Sequence, residues 1–257
     1  MTGLLLKIKK RLIASTSKEQ RERIKKYSVP VMAWLFRNDL TKLAIAFGTD
    51  KYGAHWYMPH YQTHFGRFKN KKIKILEIGV GGNEDPLCGA KSLRVWKAFF
   101  RRGAIYGLDI HDKKALQERR IKIFQGDQTD KDFLRDVIKT MGEADIIIDD
   151  GSHVNSHIIT SFEVLFPLLK TGGLYVIEDM QTSYWPNYGG DSVDLHKPGT
   201  AVNYFRNLID GLNHEEYIRP GYTPTYCDKH IISMHFYHNM LFIYKGDNNE
   251  GSNIVKG

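Results

Sequence analysis

The chain has 257 residues, enough for one sizeable domain with an addition, and its 42% hydrophobic and 26% charged content is that of a globular rather than a disordered or fibrous protein. Its net charge of +8 alone would suit nucleic acid, a membrane surface or an acidic ligand. No apolar run nears the ~20 residues of a membrane span, the three leucines of MTGLLLKIKKRL are too few for a secretory core, and Cys88 and Cys227 have no metal spacing, so a reducing, cytoplasmic setting is expected.

Residues 1–36 read as helical and basic. The stretch KIKKRLIASTSKEQRERIKK (7–26), with Leu6, Ile13 and Ile24 as sparse apolar positions, could lie on anionic lipid or RNA, or be a solvated or packed helix. Asp39 can cap a short helix over 40–47 that breaks at Gly48. Residues 48–65, GTDKYGAHWYMPHYQTHF, are dense in His and Tyr. Strands are expected at 72–80, 104–110, 121–127, 144–149 and 174–179. Helices are expected at 92–100, 113–119, 130–141 and 156–170, the last stopped by Gly172-Gly173. A loop (186–200) and a helix (201–212) follow. IISMHFY and MLFIYKG around His238-Asn239 read as an antiparallel hairpin at the sheet edge. Nearly all-apolar strands alternating with helices mean a mostly parallel sheet covered on both faces.

In such a sheet, ligands sit beyond the carboxyl ends of the strands. The first strand ends in Glu77-Ile78-Gly79-Val80-Gly81-Gly82, where glycine lets backbone approach a ligand. The second ends in Asp109, placed to take two ribose hydroxyls, and the third in Gly126-Asp127-Gln128, where an acid can accept from an adenine amino group. A dinucleotide would need a third glycine where Glu84 stands, followed by Asp85, and acids repel a pyrophosphate. S-adenosylmethionine carries a sulfonium and no phosphate, and tolerates Glu77. The spaced acids therefore favour it over NAD.

FGTDKYGAHWYMPHY (47–61), LEIGVGG (76–82), SLRVW (92–96), GLDI (107–110), GDQTD (126–130), IIDDGSH (147–153) and VIEDMQTSYWP (176–186) together resemble the class I S-adenosylmethionine-dependent methyltransferases. The closer resemblance is to the metal-dependent sugar O-methyltransferases that include macrolide deoxysugar and mycobacterial polysaccharide enzymes. It implies a Rossmann-like α/β fold: a mostly parallel seven-stranded sheet, a C-terminal antiparallel hairpin and a helical N-terminal extension. The methyltransferase domain would span 66–257, and 1–65 would supply the basic extension and an active-site lid. Glu77, Gly79 and Gly81 would hold the methionine part of the cofactor, Asp109 the ribose, and Asp127 and Gln128 the adenine end. Asp150, Glu178 and Asp179 would bind Mg²⁺, and His153 would be the general base. Thr49, Lys51 and Tyr57 would touch the cofactor and His55 the acceptor. The resemblance also implies a homo-oligomer and a small glycoside or oligosaccharide acceptor, with no nucleic-acid partner.

The chemistry agrees with that set. Three carboxylates on neighbouring strand ends repel unless a cation resolves them, and all-oxygen ligation favours Mg²⁺, with Mn²⁺ or Ca²⁺ as alternatives. A sugar hydroxyl ionises far above neutrality, so metal binding of vicinal oxygens and a nearby histidine base would be needed. Asp149 reads as structural or cofactor-side. Gln181, Tyr184 and Trp185 form either an acceptor wall or a hydrophobic plug. His157, His196, His230, His235 and His238 read as surface or packing residues. A catechol or other vicinal diol is the rival acceptor. A non-catalytic binding module would have no need of Asp150, His153, Glu178 and Asp179.

Overall fold

The structure, a computed structural model, describes residues 17–252, with the backbone alone described over 18–26. Residues 7–16, the first half of the basic stretch 7–26, therefore lie outside the described residues. Helix α1 (Lys18–Leu35) carries the remainder, and its exposed residues include Tyr27, Val31, Trp34 and Leu35.

Seven strands form one sheet: β1 (Lys74–Ile78), β2 (Ala104–Asp109), β3 (Ile121–Gln125), β4 (Ala144–Asp149), β5 (Leu169–Ile177), β6 (Ile231–Tyr237) and β7 (Met240–Lys245). Their order is β3-β2-β1-β4-β5-β7-β6. β1 to β5 pair in parallel, whereas β7 runs antiparallel to both β5 and β6. The order turns back between β1 and β4, which is where an open α/β sheet leaves a crevice.

Alternation along each strand divides the core in two. Ile75 of β1 packs on one face with Leu43 of α2 (Leu40–Phe47), Tyr61 and Phe65 of α3 (Met58–Phe65) and Trp96 of α4 (Lys91–Phe99). Leu76 and Ile78 pack on the other face with Leu134 of α5 (Lys131–Met141) and Phe162 of α6 (Asn155–Leu168). Each fully buried Leu or Phe contributes about 1.5–3 kcal/mol, so α2 and α3 are fixed to the sheet by the same term that fixes α4. Asp39 caps α2 by accepting from the Lys42 amide, Gly48 ends it in the left-handed region, and Asp130 caps α5.

Three expected elements differ. Residues 113–119 contain a single 3-10 turn (Lys114–Leu116), because residues 110–120 must make the whole crossover from β2 to β3 and a helical crossover needs more chain. Helix α6 stops at Leu168, since Leu169 is extended and pairs with Ala144. Gly172-Gly173 thus falls inside β5. The helix from residue 201, α7 (Ala201–Asn207), ends five residues before position 212, and a 3-10 stretch follows at Asp210–Glu216. A last short helix, α8 (Tyr226–His230), leads into β6.

Candidate active site at the carboxyl end of the sheet

A cleft of about 1030 Å³ opens over the ends of β1 to β4. On the β1–β3 side, backbone does most of the shaping. Gly79 has φ +90°, and a Cβ there would lie 2.0 Å from the Asp150 carbonyl oxygen, so only glycine lets the β1 and β4 ends meet. Gly81 has φ +76° and open space where its Cβ would be, which leaves its backbone bare to the cleft. Asp109 is pinned, its Oδ2 accepting from the Val80 amide at 2.8 Å and its Oδ1 from the His111 amide at 2.9 Å. Ile110 beside it is 60% exposed and presents an apolar face to the cleft. Asp127 accepts from the Thr129 amide and hydroxyl, which hold its carboxyl below the usual range and keep it charged. Gln128 lines the cleft, but its amide is largely committed: Oε1 accepts from the Ser152 amide and Nε2 donates to Asp149.

On the β4–β5 side, ionisable side chains dominate. The backbone ladder continues past both strands, Asp150 N donating to Ile78 O and Glu178 N to Asp149 O, so the acids after β4 and β5 are brought side by side. Each acidic pair splits. Asp149 is buried, takes a hydrogen bond from Ser161, and has its carboxyl pushed up to about 6 by burial, which bears out its structural reading. Asp150 and Asp179 turn to solvent with His153, and these three offer ligand atoms within 4.8 Å of one another. His153 Nε2 lies 3.5 Å from Asp179 Oδ2. Both residues hold positive φ, +58° and +53°, a costly conformation for a side-chain-bearing residue that here aims two groups at one point.

Glu178 lies deeper. It is 2% exposed, and its Oε1 accepts from Lys51 Nζ at 2.6 Å and from the Tyr61 hydroxyl. Lys51, also 2% exposed, reaches Asp150 Oδ2 at 2.5 Å and Glu77 Oε1 at 3.4 Å. Burial works to strip its proton, but Asp150, Glu178 and Glu77 outweigh burial and hold the ammonium charged. Glu77, expected at the methionine end, is fully buried and absent from the cleft lining. It faces the α4 side of β1, takes the Trp96 indole N–H at 2.8 Å, and burial raises its carboxyl to about 7.

The segment between α2 and α3 covers this acid cluster. Thr49 lines the cleft and donates to Asp50. Tyr57 does not line it: its hydroxyl donates to Asp179 Oδ1 at 2.5 Å, and the His55 ring, stacked on Tyr57, lies 3.6 Å from the same oxygen. Burial pulls the Asp179 carboxyl up, but the Tyr57 hydrogen bond and the nearby His153 win and hold it below its usual value. Gln181 is beside Asp179 with its Oε1 buried and unpartnered. Tyr184 and Trp185 are 37% and 48% exposed, too open for a plug.

Several functional-site residues carry no sequence signal of their own. His157, read as surface or packing, lines the cleft with Nδ1 2.9 Å from Ser152 Oγ, because it falls on the first turn of α6 facing the strand ends. Asn155, two residues earlier in the same turn, is buried and ties the loop after β5 together: Nδ2 donates to Thr182 O and Tyr188 O, and Oδ1 accepts from Ser183 Oγ and Ala201 N. Tyr61, in the His- and Tyr-rich stretch 48–65, lies on α3 and is fully buried with its hydroxyl on Glu178, a contact that its place in the sequence does not announce.

Strand order, crevice and acid placement define a class I S-adenosylmethionine-dependent methyltransferase fold. Within that class the chain is a relative of sugar O-methyltransferases of macrolides and polyketide glycosides. It is 48% identical over 215 residues to mycinamicin VI 2''-O-methyltransferase of Micromonospora griseorubida, covering 83% of this chain and 54% of that protein. It is 47% identical to demethylmacrocin O-methyltransferase of Streptomyces fradiae, again over 83% of this chain and 54% of that protein. The crystal structure of the MycE methyltransferase from the mycinamycin biosynthetic pathway, in complex with Mg and SAH, superposes with a TM-score of 0.82 at 47% identity, covering 85% of this chain and 57% of that one. The chain thus spans about half the length of the curated relatives it matches. No family model matches it.

Proposed function

We propose that the chain is an O-methyltransferase that moves a methyl group from S-adenosylmethionine to a sugar hydroxyl of a glycoside, with Mg²⁺ at the acid cluster. One observation carries this: Asp150, His153 and Asp179 converge at the edge of a glycine- and acid-lined cleft. Relatives named for macrolide and rhamnosyl-polyketide methylation, and a MycE complex with Mg, SAH and mycinamycin VI, support it.

The residues suit both bound groups. An open glycine backbone, a pinned Asp109 and the exposed Ile110 face fit an uncharged nucleoside, with Asp127 at its amino edge and Thr49 over the far wall. Carboxylates and the orphaned Gln181 Oε1 fit a hydrated hard cation. Asp150, Glu178 and Asp179 would hold Mg²⁺, Glu178 through its other oxygen, since Oε1 serves Lys51 and Tyr61. Bound magnesium would fix vicinal acceptor oxygens and make them more acidic, while the sulfonium supplies the methyl group. His153 takes the hydroxyl proton as the new C–O bond forms and the C–S bond breaks. The Asp179 carboxylate 3.5 Å away stabilises the imidazolium that results. His55 and Tyr57 hold Asp179 in place, while Gln181, Tyr184 and Trp185 form the acceptor side.

We read 66–257 as the methyltransferase domain and 1–65 as a lid-bearing extension whose helices α2 and α3 share its core. A homo-oligomer and a cytoplasmic location belong to this reading. So does contact with an anionic membrane surface: the exposed Tyr27, Val31, Trp34 and Leu35 recur at helical spacing along α1, next to the basic stretch 7–26. Co-sedimentation with phosphatidylglycerol but not phosphatidylcholine vesicles, weakened in W34A, is expected. Equal recovery with both would end that part.

The central test is calorimetric titration of S-adenosylmethionine with and without Mg²⁺, followed by methyl-transfer assays on a glycoside and a catechol. Cofactor binding, a separate Mg²⁺ heat and transfer to the glycoside are expected. Transfer to catechol alone would replace the acceptor, and no cofactor binding would end the reading.

A further inference from the structure

Two sets of acids meet at Asp150. The outer set is Asp150, His153 and Asp179, of which the reading above takes the two acids as Mg²⁺ ligands, joined by the free oxygen of Glu178, and His153 as the base beside them; the inner set is Glu77, Asp150 and Glu178, with one oxygen from each within 4.8 Å of the others. The inner set already encloses a cation. Lys51 Nζ stands 2.5 Å from Asp150 Oδ2, 2.6 Å from Glu178 Oε1 and 3.4 Å from Glu77 Oε1. Three carboxylate oxygens converging on one charged nitrogen is the donor arrangement of a hard-metal site with an ammonium in the ion's place. Two neighbouring cation positions that share a carboxylate have the layout of a two-metal centre.

Resting on the Mg²⁺ reading above, we propose that Lys51 is the permanent cation of a two-cation centre: its ammonium fills the inner position and limits the chain to a single divalent ion in the outer one. Lys51 is a positioning residue in this scheme. It holds Asp150 from behind, so that the carboxylate presents itself to the outer position, and it neutralises acids that would otherwise draw a second ion. The acids come from the ends of β1, β4 and β5, whereas Lys51 arrives on the segment between α2 and α3. The inner cation is therefore delivered with the lid, and Tyr57 on Asp179 secures the same segment to the outer set. A lysine serving only as packing would not need three acids, two of them buried with it.

The test counts bound Mn²⁺ per chain by electron paramagnetic resonance, with S-adenosylmethionine present, in the full-length wild type, K51M and K51R. The expected counts are one ion for the wild type, two for K51M and one again for K51R, which restores the charge. K51M/E77Q should lose the added ion, which locates it in the inner set. K51Q keeps one donor for the acids and serves where K51M does not fold. Two ions in the wild type, or the same count in wild type, K51M and K51Q, would overturn the proposal. No ion in the wild type but one in K51M would keep the inner position and refute the outer metal site. No ion in any variant would refute both.

Discussion

The two halves of the cleft are built from different materials. Over β1 to β3 the ligand-facing surface is backbone, shaped by Gly79 and Gly81, with Asp109 fixed by two amides. Over β4 and β5 it is ionisable side chains stacked two deep, Asp150 and Asp179 outside, Glu178 and Lys51 within. Binding an uncharged nucleoside asks for close approach and few charges. Activating a hydroxyl asks for charges held together against their own repulsion, and that needs buried partners.

The largest effect is expected where the halves touch. In G79A the new Cβ would lie 2.0 Å from the Asp150 carbonyl oxygen at a φ of +90°, so β1 and β4 must separate at their ends. Urea unfolding should show a loss of about 2–4 kcal/mol, together with loss of both cofactor and Mn²⁺ binding. Retention of either ligand at wild-type affinity would mean that the halves are mechanically independent.

Away from the junction the halves should separate. D109A removes the acceptor for the Val80 and His111 amides as well as the proposed ribose anchor. Calorimetry should show S-adenosylmethionine binding about 10–100-fold weaker, at the ~1.5–3 kcal/mol of a charged hydrogen bond, with Mn²⁺ affinity kept. H153A should do the reverse, leaving cofactor affinity in place while methyl transfer falls about 10²–10⁴-fold. An H153A protein with nearly full transfer would assign the proton to another group, His55 being the nearest histidine on Asp179.

The same contrast explains what could be read from the sequence. The β1–β3 half was legible because its signals are local: a glycine turn directly after an apolar run, and an acid at each following strand end. The strand ends carrying Asp150 and Glu178-Asp179 were legible too, since β4 and β5 lie next to each other in the sheet. What could not be read was depth. Nothing in EDMQ says that Glu178 turns inward and Asp179 outward, because that is decided by Lys51, 127 positions away, and by Tyr61. Glu77 shows the same limit: its partner Trp96 belongs to a helix packed across the sheet face. His157 looked unremarkable because its neighbour, the Ser152 hydroxyl, is supplied by the turn between β4 and α6.

A histidine outside the cleft sharpens the contrast with the smallest effect. His64 of α3 is buried against the β6–β7 hairpin. Its Nδ1 is 2.8 Å from the Tyr244 hydroxyl, its Nε2 is 3.0 Å from that of Tyr237, and its ring is stacked 4.1 Å from Phe242. Burial, then the nearby His235 and His60, lower its pKa from 6.5 to about 4. Arg67, above Tyr244, adds a further positive charge on that side. Between these two values the unfolded chain binds a proton that the folded chain refuses, so stability rises with pH across the window. The contribution is complete above pH 6.5 and is lost progressively as pH falls toward 4. Thermal unfolding at pH 7 and pH 5 should therefore show a drop in wild-type Tm that is about 2–4 °C smaller in H64Q. An equal drop in both proteins would show that the titration penalty lies elsewhere, with the acids of the cleft as the next place to look.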